Sequence, residues 1–334
     1  MTNKITAIIP TYKRPYLLKN AIQSVLDQTF SDFVLIVLDN HSEDETGDIV
    51  KEYQRKDPRI QYICHAENIG MMKNYEYGFS LIQTPYFHFL SDDDSILPSF
   101  YEDAIEIFSR HKDIGFYSGS TQIVSSAHTI IAEPNLQWAK EGYWQKTAAT
   151  IEMIGKFPVP TAVLFSRDIV TKVSPDFSNS LYWDCDFLMQ ISIRYPLYIS
   201  KKQAGIFTSH DNSFSRYPHI ALVFHAFDKM IARVHDVDEL SEATRHLLKK
   251  KIKEYFRKNV FRVHLLHMLE KGDSDSVWTN LRALRRSYCV STAFSPVIIL
   301  SLCTRVYPCT IPVLRKGKGI LQLLTKKLLG RWCS

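Results

Sequence analysis

Three consecutive aspartates, Asp92-Asp93-Asp94, stand between the apolar run Tyr86-Phe87-His88-Phe89-Leu90 and Ser95-Ile96-Leu97-Pro98. A run of that length reads as a buried strand, so the carboxylates fall where a strand leaves the core. Three like charges at one strand end repel one another; they are tolerable when solvated and useful when a divalent cation neutralises them. A solvated acidic turn is the alternative for the triplet taken alone. Farther along, Trp183-Asp184-Cys185-Asp186 sets two more carboxylates just ahead of the apolar Phe187-Leu188-Met189. An aspartate there can act as a general base, or it can cap the helix that follows.

Hydrophobic periodicity outlines the elements that must position these groups. Ile5-Thr6-Ala7-Ile8-Ile9 reads as a strand stopped by Pro10, and Leu17, Leu18, Ala21, Ile22, Val25 and Leu26 recur at helical spacing. Residues 33–38 form a second buried strand ending in Asp39-Asn40. A short helix with Ile49, Val50 and Tyr53, a strand over 60–64, a helix over 74–81 and the strand 86–90 complete a βαβαβ order. This order predicts an α/β fold with a Rossmann-like, mostly parallel mixed sheet flanked by helices. Ligands of such sheets sit outside the carboxyl ends of the strands. Pro10-Thr11-Tyr12, Asp39-Asn40 and the aspartate triplet all lie at those ends, which points to one shared nucleotide-type site. A dinucleotide-binding dehydrogenase also carries an acid after its second strand, but its first turn needs glycines to let the backbone approach the pyrophosphate. Here that turn is Pro10-Thr11-Tyr12-Lys13-Arg14-Pro15, without glycine, and there is no P-loop.

Composition narrows the class further. With 45% hydrophobic and 23% charged residues the chain is folded and globular. Six cysteines are scattered without a CxxC pair, which leaves no zinc or redox motif. The first apolar run, residues 5–9, is too short for the core of a signal peptide, so the expectation is a cytoplasmic chain with reduced thiols. Charge is unevenly divided: residues 241–334 hold 19 Lys/Arg against 5 Asp/Glu, and residues 1–240 hold 22 against 30. An acidic body followed by a basic segment suggests two parts with different tasks.

Four of these stretches, in order, carry a family resemblance. Ile8-Ile9-Pro10-Thr11-Tyr12-Lys13-Arg14, then Leu38-Asp39-Asn40-His41-Ser42-Glu43-Asp44-Glu45-Thr46, then Asn68-Ile69-Gly70, then Phe89-Leu90-Ser91-Asp92-Asp93-Asp94-Ser95-Ile96-Leu97-Pro98 resemble the inverting family 2 glycosyltransferases of GT-A fold. Tyr182-Trp183-Asp184-Cys185-Asp186-Phe187-Leu188 is similar to the catalytic segment of that family, and the likeness extends over residues 3–217. The resemblance implies a GT-A catalytic domain over residues 1–220, with a basic helical C-terminal segment over 221–334. It implies a metal-dependent inverting transfer from a nucleotide-diphosphate sugar to a hydroxyl of a glycan or polyprenyl-linked saccharide, as in the making of a surface polysaccharide such as O-antigen.

The same resemblance implies roles for individual residues. Pro10, Thr11, Tyr12, Arg14, Asp39, Asn40, Asn68, Gly70, Lys73 and Asp92 would bind the nucleotide sugar. Within that set Thr11 and Tyr12 line the base pocket, Asp39 accepts from the base's ring N–H, and Lys73 lies near the diphosphate. Asp93, Asp94 and His210 would serve a Mn²⁺ or Mg²⁺ ion, with Asp93 the favoured direct ligand and Asp92 turned toward ribose or metal. Asp184 would be the base that deprotonates the acceptor, and Asp186 would support it or share the capping. Two positions depart from the family: Ser91 stands at its first metal-motif aspartate, and Trp183 replaces the glutamate before the base. Two other functions remain open. A sugar nucleotidyltransferase of the same fold normally has the glycine-rich first loop that is missing here. A non-catalytic sugar-nucleotide or glycan-binding protein has no need of Asp184.

In the basic segment Leu248, Ile252, Tyr255, Phe256, Val263 and Leu266 recur at helical spacing beside Lys249, Lys250, Lys251, Lys253, Arg257, Lys258 and Arg262. Residues 240–290 are expected chiefly to pack. Residues 293–334 have the composition of an interfacial helix on an anionic membrane, which would make the protein peripheral on the inner face of the cytoplasmic membrane. No nucleic-acid-binding motif accompanies the basic residues, and nucleic acid is not expected as a partner.

Overall fold

The computed structural model describes residues 3–125, 129–178, 182–209 and 220–256, and these form two compact units. The first comprises Met1–Pro218 with Asp228–Leu248, the second His219–Phe227 with Lys249–Ser334. Residues 228–248, expected with the C-terminal segment, therefore belong with the first unit. His210 and the whole of 293–334, the expected membrane contact, lie outside the described residues.

The first unit is built on a mixed sheet that begins as a parallel one. Strands β1 (Ile5–Thr11), β2 (Phe33–Asp39), β3 (Ile60–Cys64) and β4 (Tyr86–Phe89) alternate with helices α1 (Pro15–Leu26), α2 (Thr46–Lys56) and α3 (Met71–Ser80). All seven residues of β1 are buried, as expected of a parallel strand covered on both faces. Pro15 opens α1 at its first position, where a missing N–H costs nothing, and Leu18, Ala21, Ile22 and Val25 form the buried stripe. The helix expected over 74–81 starts earlier, at Met71, because Gly70 adopts φ +85 ahead of it. Register brings the polar strand ends together: Thr11 pairs with Asp39, and Asp39 with Cys64. On the other flank Ile8 pairs with Phe89, so Thr11 and Asp92 stand three residues beyond at the same level.

Beyond β4 come β5 (Ser95–Ile96), α4 (Phe100–Arg110), β6 (Phe116–Ser125), β7 (Ile130–Ala132), β8 (Gly142–Trp144) and α5 (Ala148–Met153). Then follow a 3-10 turn at Pro160–Ala162, β9 (Val163–Ser166), α6 (Trp183–Arg194), β10 (Leu197–Ser209), α7 (Ile220–His235) and α8 (Glu242–Tyr255). The sheet order is β3-β2-β1-β4-β9-β6-β10-β5, with β7 on β6 and β8 on β10. Strand β9 runs antiparallel to both β4 and β6, which joins the parallel half to a mixed half. Among the described residues no helix is long and apolar enough to cross a membrane. In the second unit Phe224 and Phe227 lie 5.1 and 4.8 Å from the Phe256 ring.

An aromatic layer fastens α3 and α6 to the sheet. Phe79 stacks on Phe89 at 4.6 Å and meets Phe187 edge-on at 5.6 Å, while Phe87 stacks on Phe165 at 5.0 Å. Trp183, at the start of α6, packs on Tyr75 and Phe177. In the mixed half β6 and β10 approach so closely that a Cβ on Gly119 would lie 2.3 Å from that of Ala204. Gly119→Val is therefore expected to destabilise the protein by about 1–3 kcal/mol, the usual cost of overpacking, as measured by urea denaturation.

Candidate active site

A cleft of about 690 Å³ opens along the carboxyl ends of the parallel strands. Eleven of the residues expected at the site line it: Pro10, Thr11, Tyr12 and Arg14 from the first turn, Asn40 after β2, Asn68 and Gly70 before α3, Asp92, Asp93 and Asp94 after β4, and Asp184 in α6. Two others stand back from it. Lys73 is exposed and does not line the cleft. Asp39 is buried, with its Oδ1 accepting from the Ser42 N–H at 2.9 Å and the Ser42 hydroxyl at 2.6 Å, and its Oδ2 from the Tyr62 hydroxyl at 2.6 Å. The next residue, Asn40, lines the cleft instead. Asn40 donates to Asn68 Oδ1 at 2.8 Å and accepts from the Ile69 N–H at 2.9 Å, tying the β2 end to the turn before α3. Tyr12 is 40% exposed at the cleft, free to offer a ring face to a flat ligand.

The aspartates of the triplet differ in their surroundings. Asp92 accepts from the Thr11 hydroxyl at 2.8 Å and from Arg14 Nη1 at 3.0 Å, and the same Nη1 donates to Asp93 at 2.9 Å. Burial raises the Asp92 pKa, and Arg14 and Thr11 pull it back. Burial also acts to lower the Arg14 pKa, but the two carboxylates outweigh it and the guanidinium is held charged. Asp94 turns inward: its oxygens accept from the Thr161 hydroxyl at 2.6 Å and the Thr208 N–H at 3.1 Å. It thereby joins the triplet to the turn before β9 and to the end of β10, and burial pushes its pKa well up. Thr161 in turn accepts at its carbonyl from His88 at 3.0 Å. His88 is fully buried, and desolvation lowers its pKa to about 4, so it stays neutral and serves as a fixed bracket.

Asp184 stands at the second position of α6. The N-cap position is held by Tyr182, whose φ of +60 is uncommon for a residue other than glycine. Burial raises the Asp184 pKa, partly offset by hydrogen bonds from the N–H groups of Cys185 and Asp184 itself. Asp186, the other carboxylate of the segment, is wholly buried and paired with Arg233 of α7. Burial lifts its pKa to about 6 against the pull of Arg233. Arg233 also donates to the Ser174 carbonyl at 3.0 Å, and Lys229, one turn earlier, pairs with Asp176 at 3.3 Å. The two basic residues of α7 thus grip the loop that leads into Asp184.

Sequence reasoning missed Thr161, Tyr62 and Arg233. Thr161 and Tyr62 carry no signal, because a lone hydroxyl in an apolar stretch gains meaning only from the carboxylate opposite it. For Arg233 the trace is its spacing of four from Lys229, which puts both on one helix face. Arg233→Gln is expected to leave a buried carboxylate without its cation and cost about 2 kcal/mol at pH 8. Without Arg233 the folded-state pKa of Asp186 rises further above its unfolded value, so the loss grows as pH rises from 5 to 8. Urea denaturation at the two pH values measures it.

Comparison with known proteins bears on this geometry. The model of the family Glycosyl transferase family 2 matches residues 6–173, half of the chain. An uncharacterized glycosyltransferase of Methanocaldococcus jannaschii is 30% identical over 131 residues, covering 39% of this chain and 45% of the relative. The GalNAc(5)-diNAcBac-PP-undecaprenol beta-1,3-glucosyltransferase of Campylobacter jejuni is 36% identical over 95 residues, 28% of this chain and 31% of the relative. The match thus spans less than half the length of either curated relative. Among solved structures, S. aureus TarS 1–349 in complex with UDP-GlcNAc superposes with a TM-score of 0.63 at 17% identity, covering 78% of this chain and 75% of that one. At that identity the likeness shows the fold, which is the GT-A type expected from the sequence.

Proposed function

The chain belongs to glycosyltransferase family 2, and from that premise we propose that it moves a sugar, with inversion, from a nucleotide-diphosphate sugar to a hydroxyl of a glycan or polyprenyl-linked saccharide. The observation that carries this reading is the meeting in one cleft of a cation-holding carboxylate pair, Asp92 and Asp93, with the separate carboxylate of Asp184. Inverting transfer is a direct displacement and needs two unlike services. Negative charge developing on the departing diphosphate must be neutralised, and the attacking hydroxyl must give up its proton.

Asp184 suits the second service. It lines the cleft, its raised pKa makes it a better proton acceptor than an ordinary carboxylate, and the Arg233 and Lys229 grip holds its loop in place. Thr11 and Arg14 orient Asp92, and Tyr12 and Asn40 offer a ring face and polar atoms for the base. The donor set at Asp92 and Asp93 fits a divalent ion: two hard oxygen ligands already converge on a single cationic nitrogen. Among the described residues no group of three or more His, Cys, Asp or Glu side chains is placed to hold a metal. Magnesium takes only one or two carboxylates beside substrate phosphates, so Asp92 Oδ1 and Asp93 Oδ2 suffice as its protein ligands. Bound there, Mn²⁺ or Mg²⁺ would neutralise the leaving diphosphate. Asp94, with both oxygens engaged, instead keeps the turn in shape.

The names of the Campylobacter relative and of the TarS complex support a polyprenyl-linked acceptor and a uridine-type donor. A lipid-linked acceptor in turn suits contact of residues 293–334 with anionic membrane on the cytoplasmic side. Asp184→Asn separates this reading from a binding protein. It is expected to lower transfer at least about a thousandfold while nucleotide binding by calorimetry stays within twofold, as befits loss of a general base alone. Because the base works ionised, kcat/KM in the wild type should fall toward acid, with a midpoint above the ordinary aspartate range. Unchanged turnover in the variant removes Asp184 from the mechanism.

A further inference from the structure

Arg14 stands where a metal ion is expected. A single nitrogen, Nη1, donates to Asp92 Oδ1 at 3.0 Å and to Asp93 Oδ2 at 2.9 Å, so each carboxylate aims one oxygen at the same point. The carboxylates are anchored there: their side chains are only 7% and 12% exposed, and the Thr11 hydroxyl fixes the other Asp92 oxygen at 2.8 Å. The Arg14 side chain is 34% exposed and its stem is flexible, so the guanidinium can withdraw while the acids stay. A divalent ion and a guanidinium cannot share that point, since both would compete for the same lone pairs and repel each other at a separation of a few ångströms.

We propose that the Asp92–Asp93 pair holds one cation at a time: the Arg14 guanidinium in the free protein, and a divalent ion once a nucleoside diphosphate arrives, with the released guanidinium moving onto a phosphate oxygen. The inference rests on the donor reading above and adds an exchange to it. Arg14 lines the cleft from the turn that opens α1, and its planar fork suits phosphate. Lys13 beside it lies 5.3 Å from the centre of the Tyr12 ring, so Arg14 is the cation of this turn that already addresses the acidic pair. Two consequences follow from the exchange. Metal alone binds weakly, because it must break two charge-assisted hydrogen bonds. Metal and diphosphate bind cooperatively, because the diphosphate supplies ligands for the ion and a new partner for the guanidinium, and that coupling is reciprocal.

The test uses the full-length protein, R14Q and R14K, with folding confirmed by thermal melts. Mn²⁺ alone is titrated by the paramagnetic resonance of the free ion, and then UDP, with GDP as second probe, is titrated calorimetrically at fixed Mn²⁺. R14Q is expected to bind Mn²⁺ alone about tenfold more tightly than wild type, yet the nucleoside diphosphate about tenfold more weakly, the scale of one charge-assisted hydrogen bond. R14K should shift both in the same directions by smaller factors, and it carries the test if R14Q does not fold. Equal or weaker Mn²⁺ binding in the variants overturns the proposal, as does undiminished diphosphate affinity. If the wild type binds neither diphosphate, the donor reading fails, while the comparison with Mn²⁺ alone still decides whether Arg14 guards the pair.

Discussion

Charge collected at one edge of the sheet is the constraint around which this protein is arranged. Parallel strands β1 and β2 end level at Thr11 and Asp39, and the chain leaving β4 brings the aspartate triplet to the same edge, so these polar residues are brought together whether or not they attract. In this chain they are largely acids: Asp39, Asp92, Asp93 and Asp94. Each is neutralised or satisfied by a different device. Asp39 is taken up by Ser42 and Tyr62, Asp94 by Thr161 and the Thr208 N–H, and Asp92 with Asp93 by one guanidinium. The last of these devices is a partly exposed cation on a flexible stem, and it sits in the cleft.

The second half of the unit supplies what the first lacks, a carboxylate set apart from the triplet. Its position depends on longer-range packing than that of the strand ends. The Phe79, Phe87, Phe165 and Phe187 rings bind α6 to α3 and the sheet, and Arg233 and Lys229 hold the loop ahead of α6. Asp186 is the hinge between these two sets of contacts. Fully buried and two residues along the same first turn from the cleft-lining Asp184, it turns an ion pair with α7 into a constraint on where Asp184 can stand.

Family membership and physical reading meet at the cleft from different directions. The matched residues 6–173 include the cleft-lining turns after β1, β2 and β4 but stop short of Asp184. The carboxylate assigned to proton transfer is therefore argued from its place in α6, its burial and its support, together with the likeness of its sequence segment. Trp183, which stands where the family has a glutamate, is accounted for by packing: its ring lies 5.1 Å from Tyr75 and 5.3 Å from Phe177.

The parallel half and its ligand edge were legible from the chain alone, because buried strands read as continuous apolar runs and parallel order leaves one edge where their polar ends must meet. Pro10, Thr11, Tyr12, Arg14, Asn40 and the aspartate triplet could be placed at one site for that local reason. Tertiary structure decided the rest. That Asp94 turns inward, that Asp39 is taken up by Ser42 and Tyr62, and that Arg233 answers Asp186 across 47 positions all depend on which side chain stands opposite in space. The mixed half was equally illegible, since β5, β9 and β10 take their places in the sheet only through pairings between distant segments. Periodicity reports which face of an element is buried; it carries no information about the partner that a polar group meets there.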